Sequence, residues 1–251
     1  MHNDVIKKQL DHRSIRFYKD KKVEEEKLNL MLEAFIHAPT SSNLQVATVI
    51  HITDQSIKDE IAKVSNQPYI KDLPELFISI VDLRRNYFLV KENGYEGNVP
   101  GMNLFFQGAA DAYIQTQNAS LAAESLGLGT VFLGSVLNDP QRIVDLLNLP
   151  KYTFPMVGLG FGYPDDKPEL KPRIDVSKRY FKNTYHTFDS YSEELSVYDE
   201  EMEDYYGSRS TNNRSDTFSH QVKEKFENPV LKRDELLQVV EKQGFNLGLE
   251  K

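Results

Sequence analysis

The sequence predicts a chain of mixed helix and strand, α/β or α+β, folded as one domain with a C-terminal excursion. Three observations carry this reading. Four apolar runs with strand character, at 46–53, 76–83, 130–135 and 154–164, are separated by helical patterns. Hydrophobic residues make up 39% and charged residues 27%, a globular composition. No Pro/Ser-rich linker interrupts the 251 residues, a length ordinary for one such domain.

The first clear helix spans about 24–37, with Leu28, Met31, Leu32 and Phe35 at helical spacing and a Glu24-Glu25-Glu26 run suited to a helix N-terminus. Pro39 and the polar Thr40-Ser41-Ser42-Asn43 end it. A strand at 46–53 and a helix at 56–65 follow. The strand at 76–83 is apolar enough to be buried on both faces. Residues 84–102 contain Gly94, Gly97, Pro100 and Gly101 and read as a loop. The helix at about 103–126 is Ala-rich and apolar nearly all round, which predicts burial in a core or at a subunit interface; Gly127 stands at the C′ position. After the strand at 130–135, Asp139-Pro140 reads as an N-cap and N1 proline. The strand at 154–164 runs into a turn. Residues 193–204 hold seven acids and no base, with Leu195, Tyr198, Met202 and Tyr205 on one helical face. Residues 207–216 read as a polar loop, and a last helix covers about 233–243.

Charge and composition remove several functions. Lys+Arg is 30 and Asp+Glu is 38, a formal charge of −8, which disfavours coating a nucleic-acid polymer. There is no cysteine, so disulfides, thiolate nucleophiles, Cys-ligated zinc and iron–sulfur clusters are absent. The six histidines lack metal-ligand spacing, so no metal is expected. No apolar run approaches the ~20 residues of a membrane span, and the first residues lack the apolar core of a signal peptide, so a cytoplasmic location is expected.

Three polar clusters stand out. His12-Arg13-Ser14-Ile15-Arg16 gathers an imidazole, a hydroxyl and two guanidinium forks, which suit phosphate or carboxylate oxygens. In extended backbone Ser14 and Arg16 share a face with His12. A surface basic patch balancing an acidic protein is the plainer alternative. Thr40–Gln45 offers hydroxyls and amides to the edge of a planar heterocycle, or is an ordinary polar loop. Lys171-Pro172-Arg173, Arg209 and Arg214 are local cations, either solvated or placed against an anion. The glycines at 127, 129 and 134 and at 158, 160 and 162 do not follow the strand, G-x-G-x-x-G, helix order of a dinucleotide fold.

In this order the clusters resemble one family. HRSIRF at 12–17, PTSSNLQ at 39–45, AAESLGLG at 122–129, GFGYP at 160–164, LKPR at 170–173 and STNNRSD at 210–216 resemble the flavin-dependent nitroreductases, in the NADPH-preferring nitroreductase and flavin reductase branch. The resemblance implies an α+β fold, a mixed sheet wrapped by helices, in a domain-swapped homodimer with FMN bound tightly but non-covalently at the interface. It implies a single domain over 1–251, whose excursion at about 185–251 carries an NADPH-binding loop. Carried over by motif, His12, Arg13, Ser14 and Arg16 contact FMN. Ser41, Ser42 and Gln45 contact it across the interface, and Gln67 joins them. Phe132, Leu133, Gly134 and Ser135 bring backbone to the ring, and Lys171 and Arg173 meet its polar side or phosphate. Arg209 and Arg214 would bind the 2′-phosphate of NADPH. One departure is Phe226-Glu227-Asn228-Pro229-Val230, where family members can place a further arginine.

The implied activity is reduction of nitroaromatics, quinones or free flavin by ping-pong two-electron transfer. NADPH delivers a hydride to flavin N5, and no protein side chain acts as catalytic acid or nucleophile. The expected partners are a second copy of the chain and small planar electron acceptors, with no nucleic acid and no membrane. The alternative function is a flavin-binding protein without significant physiological turnover.

Overall fold

A computed structural model describes residues 3–208 and 214–249. In chain order the helices are α1 (Asp4–Leu10), α2 (Glu25–Ile36), α3 (Gln55–Ser65), α4 (Arg84–Glu92), α5 (Met102–Ser125), α6 (Pro140–Leu146), α7 (Tyr191–Glu194), α8 (Ser196–Ser208), α9 (Phe218–Glu227) and α10 (Leu236–Lys242). The strands are β1 (Ala47–His51), β2 (Glu75–Asp82), β3 (Gly129–Leu133) and β4 (Thr153–Gly162). The chain divides into two compact units. One takes in the residues up to Pro168 and again from Val230; the other is Glu169–Pro229.

The first unit is built on the four strands, ordered β1-β2-β4-β3 and all paired antiparallel. Parallel pairing occurs as single bridges, Ser14 with Thr130 and Gly101 with Asn246. The twofold alternation of β2 sorts its side chains onto two cores. Leu76, Ile78 and Ile80 pack with Ile61 and Ala62 of α3 and with Ile143 and Val144 of α6. Phe77 points the other way and packs with Leu159 and Phe161 of β4, Met31 and Phe35 of α2, and Ala119 and Ala123 of α5. Ser79, also buried, meets Thr116 of α5 at 2.6 Å, and Thr116 donates back to the Ala112 carbonyl, so this polar pair is satisfied inside the core. The strand predicted to be buried on both faces is so: only its two end residues are half-exposed.

The 24-residue α5 crosses the sheet, with buried Phe105, Gly108, Asp111, Ala112, Gln115 and Ala119 towards the interior. Its other side leaves Phe106, Tyr113 and Ile114 exposed. An all-round apolar helix is thus half core and half uncovered surface within one chain. Gly127 follows its C-cap at φ +82°, the left-handed conformation expected at C′. Asp139 caps α6 by accepting from the Arg142 amide at 3.1 Å.

The predicted loop at 84–102 is corrected at its first half, which is helix α4. None of its residues is buried, so the apolar stripe that marks a helix is missing, and Gly94 at φ +83° comes directly after its C-cap Asn93. Helices α1 and α9, also without buried residues, lie outside the predicted elements, α9 although Phe218, Val222 and Phe226 fall at helical spacing.

The second unit packs α8 against α9. Met202 is fully buried and Tyr206 nearly so, while Leu195, Tyr198 and Tyr205 are half-buried; the acidic amphipathic helix predicted over 193–204 holds from Ser196 on, with a break at Leu195 between α7 and α8. The rings of Tyr198 and Phe218 meet at 5.3 Å, and Asp199 accepts from the Ser219 amide at 2.7 Å. Among the described residues no helix is long and apolar enough to cross a membrane.

Candidate functional site

The His12–Arg16 run lies along the free edge of β3. Its approach depends on Gly129, where an added Cβ would sit 2.6 Å from Ile15 Cγ1. The Ile15 amide donates to the Thr130 carbonyl at 2.8 Å, and Ile15 turns into the interior. Extended backbone then directs Ser14 and Arg16 to the opposite side. Glu124, at the end of α5, binds His12 Nδ1 at 2.6 Å and Thr130 Oγ1 at 2.8 Å; Thr130 also meets Ser120 at 3.0 Å. This chain fixes the imidazole through Nδ1 and leaves Nε2 for a ligand.

Arg13 has a different environment. Its guanidinium pairs with the Asp11 carboxylate at 2.7 Å and donates to the Asp11 carbonyl at 2.8 Å. Arg13 holds the Asp11 carboxyl below its ordinary range. The Arg13 Nε is buried without a partner, beside a cavity of about 460 Å³ that also exposes Asp165, Asp166 and Lys167. So Arg13 lies with Ile15 and Asp11, apart from the face that carries Ser14 and Arg16.

Gln67 is brought to Arg16 by the turn that follows α3. Asn66 takes a left-handed conformation and Pro68–Asp72 forms a 3₁₀ turn. The Tyr69 hydroxyl donates to Gln67 Oε1 at 2.6 Å, which leaves the Gln67 NH₂ to donate elsewhere. The Arg16 guanidinium stands 5.8 Å from the Tyr69 ring centroid. Burial raises the Tyr69 phenol against the opposing pull of Arg16. Lys58 anchors the turn by donating to the Leu73 and Pro74 carbonyls at 2.9 and 3.1 Å.

At the end of β3, Leu133 is in the core and Phe132 is half-buried, and just beyond it Gly134 faces open space, so this segment presents backbone. The Ser135 hydroxyl is buried without a partner. Within Gly158-x-Gly160-x-Gly162, a Cβ would crowd Leu133 and Ile78 at the first glycine and collide with Leu73 or Pro74 at the second and third; these glycines serve strand packing.

Ser41, Ser42 and Gln45 lie elsewhere. They precede β1, at one edge of the sheet, whereas His12–Arg16 lies on β3, at the other. They also sit at the sheet end marked by the Ala47–Val81 pair, whereas Ser14 bridges Thr130 near the opposite end, where Gly129 pairs with Gly162. Three strand spacings across and six residues along make a separation on the order of 20 Å. In one chain these two clusters do not meet around one small ligand.

The remaining candidates belong to the second unit. Lys171 Nζ meets the Tyr206 hydroxyl at 3.2 Å, and the Arg214 guanidinium lies 4.4 Å from the same ring's centroid. Arg214 pairs with buried Asp216 at 2.7 Å, and Asp216 also holds His220 Nδ1 at 3.0 Å. Arg173 donates to the Lys171 and Pro172 carbonyls, and the Tyr198 hydroxyl donates to the latter. Arg209 lies outside the described residues. Among the described residues no three His, Asp or Glu side chains are grouped to hold a metal ion. Sequence reading missed Tyr69 and Glu124 as site residues; neither carries a periodic signal, though Glu124 stands inside a motif already singled out.

Comparison with known proteins places the chain in a family. The nitroreductase family profile matches residues 10–163, and that of the nitroreductase family, C-terminal domain, matches 171–248. The chain is 36% identical over 248 residues to an FMN reductase [NAD(P)H] of Bacillus subtilis, covering 98% of this chain and 99% of that one. The solved structure of B. megaterium NfrA2 superposes with a TM-score of 0.91 at 32% identity, covering all of both chains. An NADPH:FMN oxidoreductase from Vibrio harveyi complexed with NAD+ superposes with a TM-score of 0.86 at 29% identity, covering 97% of this chain and 99% of that one. With both profiles matched and the fold shared over the whole chain, this protein belongs to the nitroreductase family.

Proposed function

We propose that the protein is an NADPH-dependent FMN oxidoreductase that reduces planar acceptors such as nitroaromatics, quinones or free flavin, with each FMN held between two copies of the chain. The observation that carries this reading is the split of the polar clusters. His12, Ser14, Arg16 and Gln67 gather beside β3, while Ser41, Ser42 and Gln45 lie roughly 20 Å away in the same chain. A twofold dimer brings one cluster of each copy to the other cluster of its partner, and the exposed Phe106, Tyr113 and Ile114 of α5 supply apolar surface for such a contact. The relatives named FMN reductase and NADPH:FMN oxidoreductase support the same cofactor and donor.

The residues fit FMN. The Ser135 hydroxyl is buried and unpartnered, the Gln67 NH₂ and His12 Nε2 stand uncommitted, and Gly134 opens the backbone after β3. Bound FMN would supply the hydride acceptance and donation that protein side chains lack. The chain's part is electrostatic and geometric. Arg16 places a fixed cation at the site, held beside Tyr69, and is suited to phosphate or to the electron-rich edge of the ring. Glu124 keeps His12 in one orientation. In the second unit, Lys171 and Arg173 are the proposed contacts for the flavin's polar side, and Arg209 and Arg214 for the 2′-phosphate of the donor. Arg214 has its charge shared with Asp216, so Arg209 is assigned the larger part of the NADPH preference.

The test is a titration of cofactor-free protein with FMN, followed by steady-state assays with NADPH and NADH against free FMN, nitrofurans and quinones. Stoichiometric FMN binding and NADPH-driven reduction of at least one class are expected. Protein that cannot be loaded with FMN refutes the reading.

A further inference from the structure

We propose that Asp111, Arg85 and Asn86 are positioning residues that hold Ser41–Gln45 in its flavin-contacting shape, an inference that rests on the reading that this loop meets FMN. Three of the five residues, Ser42, Asn43 and Gln45, have φ of +52°, +56° and +51°. Non-glycine residues adopt this conformation at a cost and keep it only where the surroundings over-determine it. Packing does not supply that constraint. Ser42, Asn43 and Gln45 are exposed, and a cavity of about 400 Å³ lies against Asn43, Leu44 and Gln45.

Hydrogen bonds from two helices do supply it. Asp111, fully buried on α5, accepts from the Ser41 amide at 2.8 Å. Asn86 of α4 donates through Nδ2 to the Leu44 carbonyl at 2.9 Å, and Arg85 donates to the Gln45 carbonyl. The loop is thus held at its first residue and its last two, by partners 40 to 70 positions away. Inside it, one backbone bond links Leu44 to Ser41 and one side-chain bond links Gln45 to Asn43.

Asp111 is poorly explained as a core residue. Its Oδ2 is buried with no partner, and the next turn of the same helix face carries Gln115 with an equally unpartnered buried Oε1. An apolar side chain at 111 would serve burial better than a carboxylate with one orphaned oxygen. What the carboxylate does provide is an acceptor for Ser41 at the entry to the strained turn. Helix α4, which buries nothing of its own, likewise contributes its first-turn amide and guanidinium to the exit.

The experiment compares FMN-loaded wild type with Arg85→Ala, Asp111→Ala and Asp111→Asn. The readouts are the FMN dissociation constant, from recovery of flavin fluorescence on dilution, and the visible circular dichroism of bound FMN. Arg85→Ala and Asp111→Ala are expected to weaken FMN by about tenfold and alter its dichroism, as for loss of one charge-assisted bond. Asp111→Asn, which keeps the Oδ1 acceptor, is expected to rescue both. Affinities within about twofold of wild type for Arg85→Ala and Asp111→Ala overturn the proposal; if Asp111→Ala does not fold, the exposed Arg85→Ala decides alone. A hybrid dimer of one Arg16→Ala chain and one Arg85→Ala chain separates this from the two-chain reading. Loops that serve the partner leave one unaltered site, so the hybrid binds one FMN with wild-type affinity. Loops that serve their own chain leave none, a result that keeps the positioning assignment and overturns the shared site.

Discussion

Replacing Gly129 by alanine tests whether the sheet edge positions the His12–Arg16 run. The added Cβ would lie 2.6, 2.8 and 3.0 Å from Cγ1, Cβ and Cγ2 of Ile15. These atoms belong to the branched stem of a buried side chain, on a segment hydrogen-bonded to β3, so the segment itself must move. Overpacking of this kind costs about 1–3 kcal/mol. Loss of the Ile15–Thr130 backbone bond adds about 1 kcal/mol. A total of about 2–4 kcal/mol lowers Tm by about 5–15 °C in a chain of this size. Ser14 and Arg16 move with Ile15, so loss of one charge-assisted flavin contact should weaken FMN by about ten- to a hundredfold. Calorimetry and fluorescence titration measure the two effects. Gly127→Ala is the control: its φ of +82° strains the backbone, but nothing lies within 4 Å of the new Cβ, so stability falls while FMN affinity holds. A Gly129→Ala protein that melts within 2 °C of wild type and binds FMN within about twofold refutes the reasoning.

Arg209→Ala should raise the KM for NADPH far more than that for NADH, by the equivalent of about 1.5–3 kcal/mol; equal effects on both donors remove Arg209 from the 2′-phosphate role. Met31→Ala, at a fully buried position on the core face of α2, should destabilise by about 2–5 kcal/mol in urea titration, with the FMN site of folded protein intact. Tyr18 donates its hydroxyl to the Ile15 carbonyl at 2.6 Å, and burial pushes its phenol well above the ordinary range. The unfolded phenol ionises near pH 10 while the folded one keeps its proton, so this group's stability contribution is complete below pH 10 and is lost above it, at up to about 1.4 kcal/mol per pH unit. Urea titrations at increasing alkaline pH should show a shallower decline for Tyr18→Phe; an unchanged slope contradicts the assignment.

The strands and the long helix α5 were legible because burial on one or both faces writes itself into apolar runs and periodicity. Helices α1 and α4 were not, because neither buries a residue; α9 buries none either, although Phe218, Val222 and Phe226 fall at helical spacing. The glycines at 158, 160 and 162 looked like a nucleotide motif only to a reading of spacing; the structure spends them on contact with Leu133, Leu73 and Pro74. The polar clusters at 12–16 and 41–45 were visible as composition. Their supports were not, since Glu124 reaches His12 across 112 positions and Asp111 reaches Ser41 across 70. The pairing of Arg13 with Asp11 is local, yet it shows only once Gly129 admits Ile15 to the sheet edge and sets which way each neighbour points.

FMN bound by this chain is expected to take its electrons from NADPH. Anaerobic mixing of FMN-loaded protein with one equivalent of NADPH tests it directly. Rapid bleaching of the yellow flavin absorbance, restored on adding a quinone or nitroaromatic, is the result predicted. Absorbance that persists under NADPH would contradict the claim and leave a flavin-binding protein without turnover.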